Sequence, residues 1–294
     1  MSQSLFKPRF VTLSALLGPA LVVFFVFVIL PVFLALWFSG FNWSGGRSMT
    51  WIGAGNYLRL VRDAQFWKTF GNNIFLIAFC LVGQIGLGFL VAMLMSGRAL
   101  KLKEFHRTVI FFPVVISAVV IGFMWTMIYN KDYGLLNYAL RGLGLRSWIR
   151  PYLDDPRTVM VYASIPVVWQ YIGLYMVLFL TGLQGIEPAI FEVAEIDGAS
   201  ALQRAVHITL PLLLDTLKVA VMLCIAGNMK IFDHIFIMTG GGPGKSSMVM
   251  AMYAYNQTFE MFKLGYASAI SVGIMVLSLA LILVSRGLLR GRAQ

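Results

Sequence analysis

The sequence predicts an all-α membrane protein with six transmembrane helices, and three observations carry that expectation. Of its 294 residues, 59% are hydrophobic and only 12% are charged, with a mean hydropathy of +0.82. A soluble domain needs about 25% charged residues to cover its surface. A soluble enzyme, a disordered regulator and a secreted disulfide scaffold are therefore excluded. Several uncharged runs also reach the roughly 20 residues that a helix needs to cross about 30 Å of hydrocarbon. Finally, the strict apolar/polar alternation of a membrane β-barrel is missing.

Five spans are uncharged runs: Phe10 to Gly46, Thr69 to Gly97, Thr108 to Asn130, Thr158 to Ile186 and Leu264 to Ser285. Lys7 and Arg9 precede the first, as in a signal peptide. That run outlasts the apolar region of such a peptide, about 7–15 residues, so an uncleaved first span is expected. The remaining span, Ile208 to Met229, is interrupted by Asp215 and Lys218. Three residues apart, these two share a helix face and can neutralise each other near the membrane interface. The expected spans are 11–38, 70–96, 108–129, 158–182, 209–230 and 264–285, all in one domain. An even number puts both termini on one side.

The formal net charge is +11. Its cations sit between long uncharged runs and form no basic arm, so nucleic acid is not the indicated partner. Lys7, Arg9, Arg98, Lys101, Lys103, Arg107, Arg286, Arg290 and Arg292 fall on one side, which the positive-inside rule makes cytoplasmic. The opposite loops carry Arg47, Arg59, Arg62, Lys68, Arg141, Arg146, Arg150 and Arg157 at lower density. Cys80 and Cys224 lie in apolar stretches, which suits neither a structural disulfide nor a paired-cysteine metal site.

The segment between the fourth and fifth spans, 186–208, is the most informative. Pro188 can open a short helix that holds Glu192 and Glu195 near its start, where the helix dipole favours acids. Gly198 offers a stop and Ser200 a cap for the next helix. Pro211 then marks the return to the bilayer. Two short helices joined by a glycine turn make a knob on the cytoplasmic side.

Glu192-Val193-Ala194, Asp197-Gly198-Ala199 and Ile208-Thr209-Leu210-Pro211 together resemble the EAA loop of ABC importer permeases. That pattern reads Glu-Ala-Ala, two residues, Asp-Gly-Ala and, after a spacer, Ile-x-Leu-Pro; Val193 replaces the first alanine. Trp51-Ile52-Gly53 with Asn56-Tyr57 is similar to the segment before the second core helix of carbohydrate permeases. Pro113, Trp125 and Gly134-Leu135-Leu136-Asn137 resemble the third helix and its exit. Thr239-Gly240-Gly241-Gly242-Pro243 looks like the Gly-Gly-Pro loop of the maltose-type subunit, and Gly265-Tyr266-Ala267-Ser268-Ala269 like the opening of its final helix. The resemblance covers most of the chain and is to the first of two permease subunits in the maltose and glycerol-phosphate type.

This resemblance implies a type I importer permease fold and a heteromeric complex in the bacterial inner membrane. The expected partners are a second permease, two ATPase subunits and an extracytoplasmic solute-binding protein. ATP and Mg²⁺ would be bound by the ATPases, and no cofactor by this chain. Glu192, Ala194, Asp197, Gly198, Ala199 and Pro211 would form the ATPase-coupling set, with Glu192 anchoring the knob and Gly198 permitting its turn. ATPase closure would then rock the helices between two states.

Other motifs give blander readings. Thr239 to Ser246 nearly spells a P-loop, but Thr239 stands where its first glycine belongs and no strand precedes it, so a glycine-rich turn is expected. The family resemblance implies a substrate cavity near Asn228 and Lys230 and along Trp169, Gln170 and Tyr171, where aromatic faces and amides suit a sugar. For Trp169 and Tyr171, helix packing or an interfacial belt fits the residues equally well. Lys230 also reads as a snorkelling helix end, next to Asp233 and His234. His106 and His207 have no paired ligand spacing, so no metal site is expected, and no catalytic constellation is present.

The function expected is a permease subunit of an ATP-driven importer for a sugar or oligosaccharide. The alternative is a stand-alone secondary transporter or channel. Secondary carriers pair broken helices or place acids at depth; only Asp215 hints at either here. Outer-loop arginines and Lys230 point to an anionic saccharide.

Overall fold

The computed structural model describes residues 10–97 and 101–290. Lys7, Arg9, Arg98 and Arg292, used above for orientation, lie outside them. The chain starts with α1 (Ser14–Ser39), a two-stranded hairpin of β1 (Phe41–Trp43) and β2 (Met49–Trp51), and α2 (Gly55–Arg62). Next come α3 (Ala64–Ser96), α4 (Lys103–Val115), α5 (Ala118–Ile128), α6 (Leu135–Gly142) and α7 (Val159–Gln184). Then follow α8 (Pro188–Ile196), α9 (Ala201–Leu212), α10 (Leu214–Met229) and α11 (Asp233–Thr239). The last helices are α12 (Met250–Tyr255) and α13 (Leu264–Arg290).

By length and composition, four of these helices can each cross a membrane: α1, α3, α7 and α13. Two further spans are bent pairs, α4 with α5 at 98° and α9 with α10 at 77°. Broken helices were not legible in the sequence, and both breaks have a local cause. Pro113 removes a backbone donor near the end of α4, and Ile116 and Ser117 then turn extended, with ψ of 140° and 135°. Pro211 sits two residues before Leu213, which leaves helical geometry at φ −93° and ψ 12°. Four of the helical stretches begin or end beyond the apolar limits read from sequence, because charged residues such as Lys68, Lys103 and Arg107 continue a helix past the hydrocarbon.

The described chain divides into two compact units. One contains residues up to Asp63 and Ala254–Gly273. Here β1 and β2 pair antiparallel with Asn42 opposite Thr50. Asn56 Nδ2 donates to Ser39 O at 2.8 Å and Phe41 O at 2.9 Å, fixing α2 against the hairpin. Tyr266 donates to Asp63, and the Arg59 guanidinium lies 4.2 Å from the Tyr266 ring centroid.

The other unit takes in the described residues of 64–253 and 274–290, and α7 is its axis. Twelve α7 residues are buried, among them Val167, Gln170, Tyr175 and Phe179. Helices α3, α4, α5, α10 and α11 pack around it. A methyl on Gly88 of α3 would lie 2.7 Å from Tyr175 Cβ, and one on Gly173 of α7 would lie 2.6 Å from Phe111 Cα. Small residues at such crossings let helix backbones approach where lipid offers no hydrophobic driving force. Lys218 and Asp215 form the expected pair at 2.8 Å.

Candidate functional site

Inside the second unit a cavity of about 520 Å³ lies among α3, α7, α10 and α11. Its lining includes Gln84, Tyr171, Tyr175, Asn228, Lys230, Asp233 and His234. This volume falls within the roughly 300–1,000 Å³ typical of small-molecule sites.

A backbone irregularity places one of these side chains, and buried amides hold the helix ends around the others. Gln84 sits in a π-helical turn of α3, Leu81–Gly86, and such turns often mark functional positions. It donates to Val167 O at 3.0 Å and accepts from the Cys224 thiol at 3.7 Å. Asn228, in the last turn of α10, donates to Cys224 O at 2.9 Å. Asn73, deep in α3, donates to Asn228 O at 2.8 Å and Met229 O at 3.3 Å, closing the C-terminus of α10. Its Oδ1 accepts from Met250 N at 2.9 Å and so also caps the start of α12. Asn72 donates to Ser246 O and Met248 O, holding the end of the glycine-rich loop.

The three adjacent residues of α7 separate, because successive helical positions are about 100° apart. Tyr171 lines the cavity. Gln170 is 2% exposed and bridges two elements: its Nε2 donates to Ile116 O at 2.9 Å, and its Oε1 lies 2.6 Å from His234 Nε2. Since Gln170 Oε1 can only accept, His234 Nε2 is the donor. The bridged carbonyl belongs to the break between α4 and α5. Trp169 instead faces Trp125, with ring centroids 6.0 Å apart. Trp125 in turn lies 5.3 Å from Tyr129, which groups with Tyr152 and Tyr162 at centroid distances of 4.8–5.9 Å. Pro166 cannot donate to Tyr162 O four residues back, and the Tyr129 hydroxyl satisfies that carbonyl at 3.1 Å.

Asn228 and Lys230 line the cavity together with Tyr171. Gln84 and Tyr175 escaped the sequence reading. An amide isolated between Gly83 and Gly86 in an otherwise apolar run was the available signal for Gln84, while Tyr175 gives none. Lys230 and Asp233 supply one charge of each sign, so the lining is electrically balanced.

The segment 186–208 folds as a helix, a turn and a helix. Glu187 precedes α8 in extended geometry and Pro188 opens it. Gly198 takes φ +77° in open surroundings, a conformation that disfavours any side chain. Ala199 N donates to Ala194 O at 3.0 Å, completing the turn. Ser200 and Gln203 form a reciprocal capping box at the start of α9, and Arg204 pairs with Glu195 across the turn at 3.2 Å. Ala194 is buried, while Val193, Ile196 and Leu202 are 58%, 85% and 74% exposed. Glu192, Asp197 and Pro211 are exposed as well, and Ala199 is half-buried. A surface hollow of about 440 Å³ opens beside α8, lined by Ile190, Val193, Asp197 and Ile208.

In the glycine-rich segment, Gly240, Gly241 and Gly244 all have positive φ and the Gly242–Pro243 bond is cis. The Thr239 and Ser247 hydroxyls bond across it at 2.8 Å. It is a side-chain-tied turn after a helix, without the strand-to-helix frame of a phosphate loop. Among the described residues no three His, Cys, Asp or Glu side chains cluster as a metal site would.

Comparison with known proteins places this geometry. The chain matches the binding-protein-dependent transport system inner membrane component family over residues 84–291. It is 37% identical over 267 residues to the probable ABC transporter permease protein YurN of Bacillus subtilis, covering 90% of this chain and 91% of that one. It is 34% identical over 276 residues to the trehalose/maltose transport system permease protein MalF of Thermococcus litoralis, covering 90% and 89%. Its fold matches, at a TM-score of 0.81 and 21% identity over 96% of both chains, the crystal structure of a bacterial ABC transporter involved in the import of the acidic polysaccharide alginate. The chain therefore belongs to the binding-protein-dependent transport system inner membrane component family, as a multi-pass ABC transporter permease subunit.

Proposed function

We propose that this permease carries a saccharide through the cavity lined by Tyr171, Asn228 and Lys230, driven by a separate ATPase that docks on 186–208. The observation that carries the coupling reading is the helix–turn–helix knob itself. Its turn is held by Gly198 and the Ser200–Gln203 capping box, yet it displays Val193, Ile196 and Leu202 outward. Large apolar side chains clustered on an exposed, well-capped knob mark a protein contact. Glu192, Asp197 and Gly198 then supply the docking face and its turn, and Pro211 precedes the bend through which knob movement reaches α10.

Saccharide as substrate class rests on the aromatic and amide lining and on relatives such as the trehalose/maltose permease. The balanced lining favours a neutral sugar in this cavity, leaving the outer-loop arginines as the sole support for an anionic one. The remaining subunits would be a second permease, two ATPases that bind ATP and Mg²⁺, and a solute-binding protein. Both termini and the knob would face the cytoplasm. A stand-alone secondary transporter is the second reading, because such carriers build their sites from broken helices and two bent pairs occur here.

One experiment separates the two. The tagged chain is purified from its native membrane in mild detergent, and co-purifying proteins are identified for the wild type and for Glu192→Lys. An ATPase recovered with the wild type and lost with the variant supports the importer. Purification of the chain with no ATPase, with uptake driven by an ion gradient, sinks it.

A further inference from the structure

A second pocket, remote from the substrate cavity in sequence and lining, lies where α3 ends, α4 begins and α7 ends. Its volume is about 280 Å³. Met95, Leu180 and Leu183 form an apolar wall, while Lys103, Arg107 and Gln184 contribute donors. Lys103 and Arg107 are four residues apart on α4, so both ammonium and guanidinium project from one face. Glu104 also reaches this pocket but only partly offsets them. Its carboxylate stands 4.0 Å from Arg107, and its side chain is 88% exposed, a geometry in which an ion pair is worth little. One net positive charge remains, and the Arg107 side chain is 42% exposed, open to a ligand.

The outward faces of the same helix ends are strongly apolar. Leu94 of α3 is 73% exposed, and Phe105 and Val109 of α4 are 64% and 53% exposed. An occupant must therefore offer anionic oxygens to two cations and hydrocarbon to the methyl groups around them. We propose that this pocket binds the phosphate headgroup of an anionic phospholipid, whose acyl chains lie along α3 and α4. The inference rests on the membrane-spanning reading of these helices and is independent of the substrate and the ATPase. The physical basis is general. Basic pockets between transmembrane helices at an anionic leaflet hold lipid headgroups, and Arg adds bidentate contacts to phosphate oxygens.

The test uses the full chain, with whatever subunits accompany it, in a neutral maltoside detergent. Unfolding temperature is followed while dioleoyl-phosphatidylglycerol, dioleoyl-phosphatidylcholine or inorganic phosphate is titrated, each protein against its own lipid-free baseline. At a hundredfold excess over the dissociation constant, phosphatidylglycerol should raise the wild-type midpoint by about 5 °C. The double variant Lys103→Gln/Arg107→Gln should lose most of that rise, and Lys101→Gln, a nearby cation outside the pocket lining, should retain it. Arg107→Gln alone serves if the double variant does not fold, and phosphatidylglycerol retained through purification, measured by mass spectrometry, should fall in parallel. Equal shifts in wild type and pocket variant, an equal loss in Lys101→Gln, or a phosphate effect as large as that of the lipid would overturn the proposal.

Discussion

Replacing Asn73 by alanine isolates what one buried amide does for the helix ends beside the cavity. The wild-type side chain donates to the last two carbonyls of α10 and accepts from the first amide of α12. Two donated bonds are worth about 0.6 kcal/mol each, if they match the average measured for hydrogen bonds inside membrane bundles. Removing Oδ1 also leaves Met250 N–H buried without an acceptor, which costs about 1–3 kcal/mol. The expected destabilisation is therefore about 2–4 kcal/mol. Asn72→Ala is the internal control. Asn72 is half-buried and donates two bonds of similar length, so its loss should cost about 1 kcal/mol. Reversible unfolding in mixed micelles of rising dodecyl sulfate fraction would measure both. Equal effects for the two variants, or less than about 0.5 kcal/mol for Asn73→Ala, would refute the reasoning that orphaning the α12 amide dominates.

Other outcomes follow from the same packing and bonding. Gly173→Val should destabilise by about 1–3 kcal/mol through overpacking of α4 against α7, seen in the same unfolding assay; Gly142→Val, in open surroundings, should not. Gln170→Leu strips Ile116 O and His234 of their shared partner, and should cost about 1–3 kcal/mol and lower uptake of the transported solute. Lys230→Met in the balanced cavity should weaken uptake of an anionic sugar more than of a neutral one; equal loss for both would remove Lys230 from substrate discrimination. Tyr152 gives a pH prediction: burial raises its hydroxyl above the ordinary 10.0, Tyr162 adds to the rise and Arg150 opposes it. The folded state thus prefers neutral Tyr152, whose contribution is present below pH 10 and is lost as alkali ionises it. Tyr152→Phe loses the bond to Asn137 Oδ1 and should be less stable at neutral pH, but its stability should fall less steeply above pH 10 than that of the wild type, measured by unfolding over a pH series.

Much of this protein was legible in the chain, and for a local reason. Whether a helix can cross hydrocarbon depends on about 20 consecutive residues, so the apolar runs announced α1, α3, α7 and α13 directly. The knob was equally local: Pro188, Gly198 and Ser200 act within a few residues of themselves, and their types imply a helix start, a left-handed turn and a cap. The partnerships of buried polar groups were not local. Gln170 meets Ile116 and His234 across 54 and 64 residues, and Asn73 meets Met250 across 177. A sequence shows that an amide inside a membrane span needs a partner, without saying which. The bends in α4/α5 and α9/α10 show the same division. Pro113 and Pro211 supply the missing donors, but a proline in a span is compatible with a straight, a kinked or a broken helix. Only the packing around α7 determined how far each pair turned and which side chains came to line one cavity. The physical reason is that a backbone group freed inside hydrocarbon must be satisfied by protein, and the nearest available partner is set by tertiary contacts.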